Sequence, residues 1–329
     1  MQAEGRMAAV EVLTFGETMV SLRSTGPLSQ GGQLSMHAAG AESNVVIGLA
    51  RLGHAVRWVG RVGMDPHGDF IARALRAEAV DVRLGRDALR PTGVMLLEQR
   101  TQDVGRAFYY RAGSAGSRIS RADIAAALAD GARVLHLTGI TPALSDAARE
   151  VFTHAAEEAA GLGMEVSLDV NFRSKLWSRE EAREVLRRVA RHATIITASD
   201  DELDMVCTGT SGVRALGATV EAMAAGLLES GVREVVVKLG AGGASAWTAD
   251  GHHHVDAVPV TVIDTVGAGD AFVAGYLSAM LDGEGVPARL QRGALLGAFA
   301  VSTAGDWEGL PQRNELGLLQ CIGRQGTDR

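Results

Sequence analysis

The stretch Ile263–Ala279 (IDTVGAGDAFVAGYLSA) carries the residues best suited to chemistry. Gly267-Ala268-Gly269 makes a turn with almost no side chains, and Asp270 opens an amphipathic run through Ala271, Phe272, Gly275, Tyr276 and Ala279. Successive unshielded N–H groups at a helix start, at the positive end of its dipole, form an anion site. A carboxylate inside such a site repels the anion it surrounds. It makes sense if it takes a proton from a hydroxyl that then attacks a phosphoryl group held by those amides. The structural alternative is an Asp cap with glycines for a tight turn. The residues alone leave both open.

The elements that position this stretch read as an α/β alternation. Val258–Ile263 is an apolar strand whose end Asp264 and Thr265 close, and Val10–Phe15 and Val56–Val62 are further strands. Ser24–Gln33 is loop or hairpin. Gly40 breaks the chain ahead of a helix with an apolar face of Val45, Ile47, Leu49 and Leu52, with Glu42, Ser43 and Asn44 in its first turn. Asp65–Val80 is a helix with Pro66 in its first turn. From Ala132 the strands are Val134–Leu137, Glu165–Val170, Thr194–Thr197 and Glu234–Leu239, with helices near Asp146–Ala160, Arg179–His192, Glu202–Val206 and Val220–Glu229. Strands spaced by helices imply parallel βαβ units in an open sheet covered on both faces. Ligands of such sheets bind beyond the carboxyl ends of strands. Thr138-Gly139, Asp169–Arg173, Ser199–Glu202 and Lys238–Gly243 all fall there. One exception interrupts the alternation. Thr92–Arg111 is two β-rich runs about a polar turn, Thr101–Gly105, read as a lid hairpin completed by strands from about Met19–His37. It ends on Tyr109, Tyr110 and Arg111, a candidate substrate wall in a chain with 4% aromatics. Ala288–Ala304 carries small residues at Ala294, Gly297, Ala298 and Ser302, suited to a planar base lying close or to close helix packing.

The 329 residues suffice for a large core, and 47% apolar with 22% charged is a soluble globular composition. A net charge of −7 argues against a general nucleic-acid binder. Cys207 and Cys321 give no disulfide framework and suit a reducing cytoplasm. No apolar run reaches spanning length, and Met1–Ala9 lacks a signal peptide's apolar core and reads as a loose leader. Arg183, Arg187, Arg188 and Arg191 recur at helical spacing as a solvated face. His252-His253-His254 reads as an exposed hairpin rather than a metal site, Cys207 as core and Trp177 as packing. Lys175 adds positive field to the site or faces solvent.

GAESNVVIGLARLG from Gly40 and DTVGAGDAFVAG from Asp264 resemble the two signatures of the ribokinase-like (PfkB) carbohydrate kinases, and the likeness runs from about Val10 to Pro311. No GxxxxGK[ST] run is present, which disfavours a P-loop kinase. Phe108–Ser120, Leu135–Ser145, Asp169–Ala182 and Gly305–Pro311 resemble 2-keto-3-deoxygluconate kinases within that family. The resemblance implies a three-layer α/β/α fold with a mostly parallel sheet and a β lid, one domain over 10–323 with the lid from about 19–37 and 92–112. It implies transfer of the ATP γ-phosphoryl group to the terminal hydroxyl of a keto-deoxy aldonic acid, with Mg2+ and, in some relatives, a monovalent cation. Carried over by the resemblance, Gly40 and Asn44 hold the sugar, with Tyr109 and Arg111 from the lid. Arg173 pairs with the substrate carboxylate or the transferring phosphoryl. Asp270 is the base and Gly267, Ala268 and Gly269 the anion hole. Asn171, Ser199, Lys238, Gly240 and Gly242 serve the nucleotide, Glu202 serves magnesium through water, and Asp306 closes the substrate side.

Physics agrees on one point. A sugar acid carries a carboxylate that a planar Arg fork binds bidentately, and Arg111 and Arg173 are two candidates. Three departures from the family pattern are Ser199 where Asn is common, Met95 where many keto-deoxygluconate kinases have an aromatic, and Ala39 for a second glycine. Rival readings are a fructokinase, a ribokinase, a keto-deoxy-galactonate kinase, a nucleoside kinase or a catalytically silent sugar-binding regulator. A homo-oligomer joined through the lid is expected, because exposed lid strands need covering.

Overall fold

The computed structural model describes residues 10–101, 104–207 and 219–321. The leader Met1–Ala9, the tip of the lid turn and the tail expected at Gly323–Arg329 lie outside them, as do residues 322 and 323 of the expected domain.

In chain order the strands are β1 (Val10–Phe15), β2 (Met19–Ser24), β3 (Leu34–Ala39), β4 (Val56–Gly63), β5 (Asp81–Asp87), β6 (Val94–Gln99), β7 (Gly105–Tyr110), β8 (Ala132–Thr138), β9 (Glu165–Asp169), β10 (Ile195–Ser199), β11 (Glu234–Lys238), β12 (Ala244–Thr248) and β13 (Gly251–Val255). The helices are α1 (Ala41–Arg51), α2 (Pro66–Ala77), α3 (Arg121–Asp130), α4 (Asp146–Gly161), α5 (Arg179–Ala190), α6 (Val220–Glu229), α7 (Ala268–Leu281) and α8 (Val286–Val301). The main sheet runs β13-β12-β11-β10-β9-β8-β1-β4-β5, parallel from β11 to β5 and closed by the antiparallel β12 and β13. A smaller sheet, β3-β2-β6-β7, forms the lid.

Alternation along the central strands builds two cores. Leu13, Phe15, Leu135, Leu137, Val166 and Leu168 face α3, α4, α5 and α6. Val12, Val56, Trp58, Val134, Ile195 and Val236 face α1, α2, α7 and α8. A one-residue slip in any of these strands would exchange the two faces, so burial on both sides fixes the register. That register aligns Thr138 with Asp169, Thr197 with Asp169, and Ser199 with Lys238, and the polar strand ends reach one level.

Two expectations about elements are corrected. Val258–Ile263 forms no strand; Val262 and Ile263 are exposed, and the Ile263 amide donates to Val301 O at 2.7 Å. Pro259 lacks a ladder donor, which disfavours pairing through this run. Glu202–Val206 is not a helix but one 3-10 turn, Leu203–Met205, because Glu202 folds back onto the loop before it. The hairpin at His252–His254 is as expected, with His252 stacked on Trp247. Of the small residues expected on α8, Gly297 would bring a Cβ to 3.7 Å from the Ala268 carbonyl; at Gly293, outside that set, a Cβ would press on Phe272.

Candidate active site

Gly267 takes φ 76° as the residue before α7, a left-handed conformation that favours glycine. A side chain there would also overlap the Asp306 carbonyl, so the turn packs directly on a second segment of chain. The amides of the first turn of α7 have no acceptor within the helix and point out at its positive end. Asp270 lies in that turn, buried.

Two amides clamp the Asp270 carboxylate. Asn44 Nδ2 from α1 donates to Oδ2 at 2.8 Å, and Asn171 Nδ2 from the loop after β9 donates to Oδ1 at 3.3 Å. Asn171 holds a left-handed φ of 41°, unusual for a non-glycine and a mark of a constrained position. The Oδ1 atom of Asn44 is buried without a protein partner, an acceptor left for a ligand hydroxyl. Burial pushes the Asp270 carboxyl up to about 6; the Asn44 bond opposes this, Asp169 adds to it, and Arg173 and Lys238 oppose it. Such a group is ionised at neutral pH yet basic enough to accept a proton.

Beside Asp270 opens a cavity of about 380 Å3, lined by Gly40, Asn44, Tyr109, Arg111, Arg173, Gly267, Asp270 and Asp306 among the expected residues. Glu17, Met95, Phe172 and Lys175 join them. Arg173 is exposed, and among the described residues its Nη1 donates to the neighbouring Phe172 carbonyl, at 3.0 Å. Lys175 crosses to the lid, with Nζ 3.3 Å from Ala107 O and 5.8 Å from the centre of the Tyr109 ring. Arg111 is already matched: Nε and Nη2 lie 2.7 and 2.6 Å from one oxygen of buried Glu17, which also accepts from Ser114. Glu17 lies two residues past β1, beyond the carboxyl end of a parallel strand, and that position was the sequence signal available for it.

A second group lies on the neighbouring strands. Lys238 Nζ is 2.9 Å from both oxygens of Asp169, and a Cβ on Gly269 would stand 3.4 Å from the same nitrogen. The ammonium therefore sits against the amide turn of Gly267, Ala268 and Gly269. Gly240 and Gly242 form an exposed turn after β11, with Gly240 at φ 56°. Glu202 accepts the Phe172 amide at 2.8 Å on one oxygen and the Ser199 amide at 3.0 Å on the other. It thereby ties together the loops after β9 and β10. Among the described residues no three His, Cys, Asp or Glu side chains converge to chelate a metal. With both oxygens of Glu202 accepting backbone amides, its carboxylate fits a water-mediated rather than a direct contact to Mg2+.

The lid is fastened from the carboxyl-terminal side. Arg23 of β2 pairs with Asp264 at 2.8 Å and with Asp306. Trp307 Nε1 donates to Ala38 O at 2.8 Å, and a ring nitrogen of His37 on β3 lies 2.7 Å from Glu308. Arg51 of α1 in turn donates to the carbonyls of Trp307, Glu308 and Leu310. Buried Glu42 accepts from Thr138 and Thr141, both at 2.6 Å, and burial raises its carboxyl. Neither the Arg23 pairs nor the Glu42 bonds were foreseen.

A model of the pfkB family carbohydrate kinases matches residues 10–313. The chain belongs to the pfkB family of carbohydrate kinases. It is 34% identical over 313 residues to a 2-dehydro-3-deoxygluconokinase of Bacillus subtilis strain 168, covering 93% of this chain and 94% of the relative. It is 29% identical over 299 residues to a 2-dehydro-3-deoxygalactonokinase of Haloferax volcanii, covering 90% and 92%. Among solved structures, a putative ribokinase II from E. coli in complex with ATP and Mg2+ superposes with a TM-score of 0.86 at 26% identity, covering 94% and 99%. As a pfkB carbohydrate kinase the protein moves a phosphoryl group to a sugar hydroxyl. Among the described residues no helix is long and apolar enough to cross a membrane.

Proposed function

We propose that this kinase transfers the γ-phosphoryl group of ATP to the terminal hydroxyl of 2-keto-3-deoxygluconate, giving 2-keto-3-deoxy-6-phosphogluconate, with residues 10–323 working as one unit. The observation that carries the reading is one cavity lined both by a clamped carboxylate and by cations. Asp270 lies under the amide turn, while Arg173 and Lys175 face the same space. A neutral sugar has no use for such cations; a sugar acid does. The keto-deoxy acids named for the Bacillus and Haloferax relatives are acceptors of that class.

In the reaction, Asn44 and Asn171 hold the Asp270 carboxylate still while it accepts the proton of the attacking hydroxyl. The Gly267, Ala268 and Gly269 turn and Lys238 take up charge on the phosphoryl oxygens. Glu202 would hold, through water, a Mg2+ that would supply further neutralisation of the phosphates. Gly40, Asn44, Tyr109 and Asp306 surround the sugar, and Arg173 takes its carboxylate. Ser199, Gly240 and Gly242 border the nucleotide. The lid excludes water, which would otherwise compete as acceptor. A cytoplasmic homo-oligomer joined through the lid is part of this reading; exposed Leu34, Met36 and Tyr110 on lid strands suit it.

One observation favours a second reading. Glu17 cancels the charge of Arg111, so the lid side of the cavity is less cationic than the sequence suggests, which suits a neutral sugar such as fructose or ribose. A coupled ADP-release assay with Mg-ATP separates them, using 2-keto-3-deoxygluconate, its galactonate epimer, gluconate, fructose and ribose. Preference for the keto-deoxy acids is the expected result. Preference for a neutral sugar overturns the acceptor assignment, and no turnover with any acceptor leaves a sugar-binding regulator.

A further inference from the structure

Asp264 and Asp306 bring two carboxylates to the start of α7, with side chains 21% and 6% exposed. Burial raises the Asp306 carboxyl, and the charge of Asp270 nearby adds to that. Three acids around an anion hole would drive off a polyphosphate unless something cancels them. Asp270 must stay free to take a proton. The other two share one cation, the guanidinium of Arg23, 14% exposed and carried in from the lid strand β2.

The mechanical connections are short. Asp264 accepts the Val266 amide at 3.0 Å on the oxygen that Arg23 does not use, and the Gly305 amide at 3.4 Å on the other. Asp306 presses its own carbonyl on Gly267, where no side chain fits. A guanidinium that holds both acids therefore holds both flanks of the Val266-Gly267 turn. Arg23 is separated from these partners by 241 and 283 positions, so nothing local to the loop can replace it.

We propose that Arg23 is a lid-borne counter-cation, a positioning residue that makes the start of α7 receptive to the transferable phosphoryl group only while the lid is seated. The inference rests on the kinase reading above. It goes beyond it by assigning the lid an electrostatic task besides excluding water. With the lid seated, the two acids are neutralised and the turn amides face the phosphoryl group unopposed. With the lid raised, the same acids repel it, and ATP has no settled γ-phosphate position from which water could attack.

The test compares Arg23→Met, which keeps length and loses charge, with Arg23→Lys. Equilibrium binding of Mg-ATP and Mg-ADP by calorimetry is read without any acceptor. Turnover is then read with and without millimolar guanidinium, against sodium at equal ionic strength. For Arg23→Met we expect Mg-ADP affinity near that of the parent and Mg-ATP weakened by about tenfold or more, since a buried acid pair has lost its cation. Turnover should fall by about a hundredfold, recover in part in Arg23→Lys, and respond to guanidinium in Arg23→Met but not in the parent. Parental ATP binding and turnover in Arg23→Met overturn the proposal. So does an equal loss of ATP and ADP affinity that neither Lys nor guanidinium relieves. If Arg23→Met does not fold, the charge-balanced Arg23→Met/Asp306→Asn pair is measured instead. Mg-ATP binding within a few-fold of the parent supports the counter-cation, and weak Mg-ATP with normal Mg-ADP overturns it. If the parent phosphorylates no sugar, the kinase reading falls alone, because the ATP-to-ADP ratio still decides the role of Arg23.

Discussion

Replacing Asp270 by Asn should make the protein inactive and more stable at once. In the fold, burial moves this carboxyl from an ordinary 3.8 up to about 6. A little over two powers of ten in proton affinity corresponds to about 3 kcal/mol held against the fold at neutral pH. The neutral amide removes that cost. It also turns an NH2 toward one clamping donor, and the longer Asn171 contact at 3.3 Å is the one to give way, at about 1 kcal/mol. The net gain of about 2 kcal/mol should raise the midpoint of thermal unfolding by roughly 2–5 °C at pH 8. The sign follows from linkage. A carboxyl with a raised folded pKa binds more protons folded than unfolded, so its cost is complete above about 6 and vanishes below 3.8. The advantage of Asp270→Asn over the parent should therefore shrink as pH falls through that window. Scanning calorimetry at pH 8 and pH 4, with turnover measured alongside, checks both halves. Turnover should drop about 10³-fold or more, with Mg-ATP still bound. A variant that melts at or below the parent at pH 8, or whose advantage ignores pH, would refute the claim that burial tunes this group. Normal turnover would sink the base assignment.

Other outcomes follow from the same geometry. The kcat/KM of the parent should fall about tenfold per pH unit below pH 6, as Asp270 is protonated; a flat profile to pH 5 would contradict it. Gly267→Ala places a side chain at φ 76° and into the Asp306 carbonyl, and should cost about 1–3 kcal/mol in chemical denaturation and most of the turnover. If Arg173 takes the substrate carboxylate, Arg173→Met should raise the acceptor KM about tenfold or more while leaving the KM for ATP near parental. A loss confined to kcat would instead put Arg173 on the phosphoryl group. Burial pushes the Cys207 thiol up to about 11, so it should label slowly with a disulfide reagent at pH 7.5 and quickly in denaturant.

The parts of the site visible in the sequence are those whose information is contiguous. Gly267 to Asp270 is one turn of chain, and a glycine-rich turn opening a helix has a physical meaning without its surroundings. The strand ends at Thr138, Asp169, Ser199 and Lys238 were legible because parallel strands send their carboxyl ends to one side, and the register aligned them. Charge pairing is different. Arg111 and Glu17 are 94 positions apart and Arg23 and Asp306 are 283 apart, and no period links such partners. Arg111 therefore reads as a free cation in the sequence and as a neutralised one in the structure. Val258–Ile263 misled for the opposite reason. Its composition is strand-like, but Pro259 removes a ladder donor and the run pairs with no strand of the sheet.

The clamp between Asn44 and Asp270 spans 226 positions, and the strap that fastens the lid comes later still, at Asp306 to Glu308. A ribosome delivers α1 and the lid strands long before it delivers Asp270 or the fastening. Until then Arg23, Asn44 and His37 have none of these partners, and α1 lacks α7, against which it packs. With Asp270 as the proposed base, a chain truncated before Asp264 should show no kinase turnover.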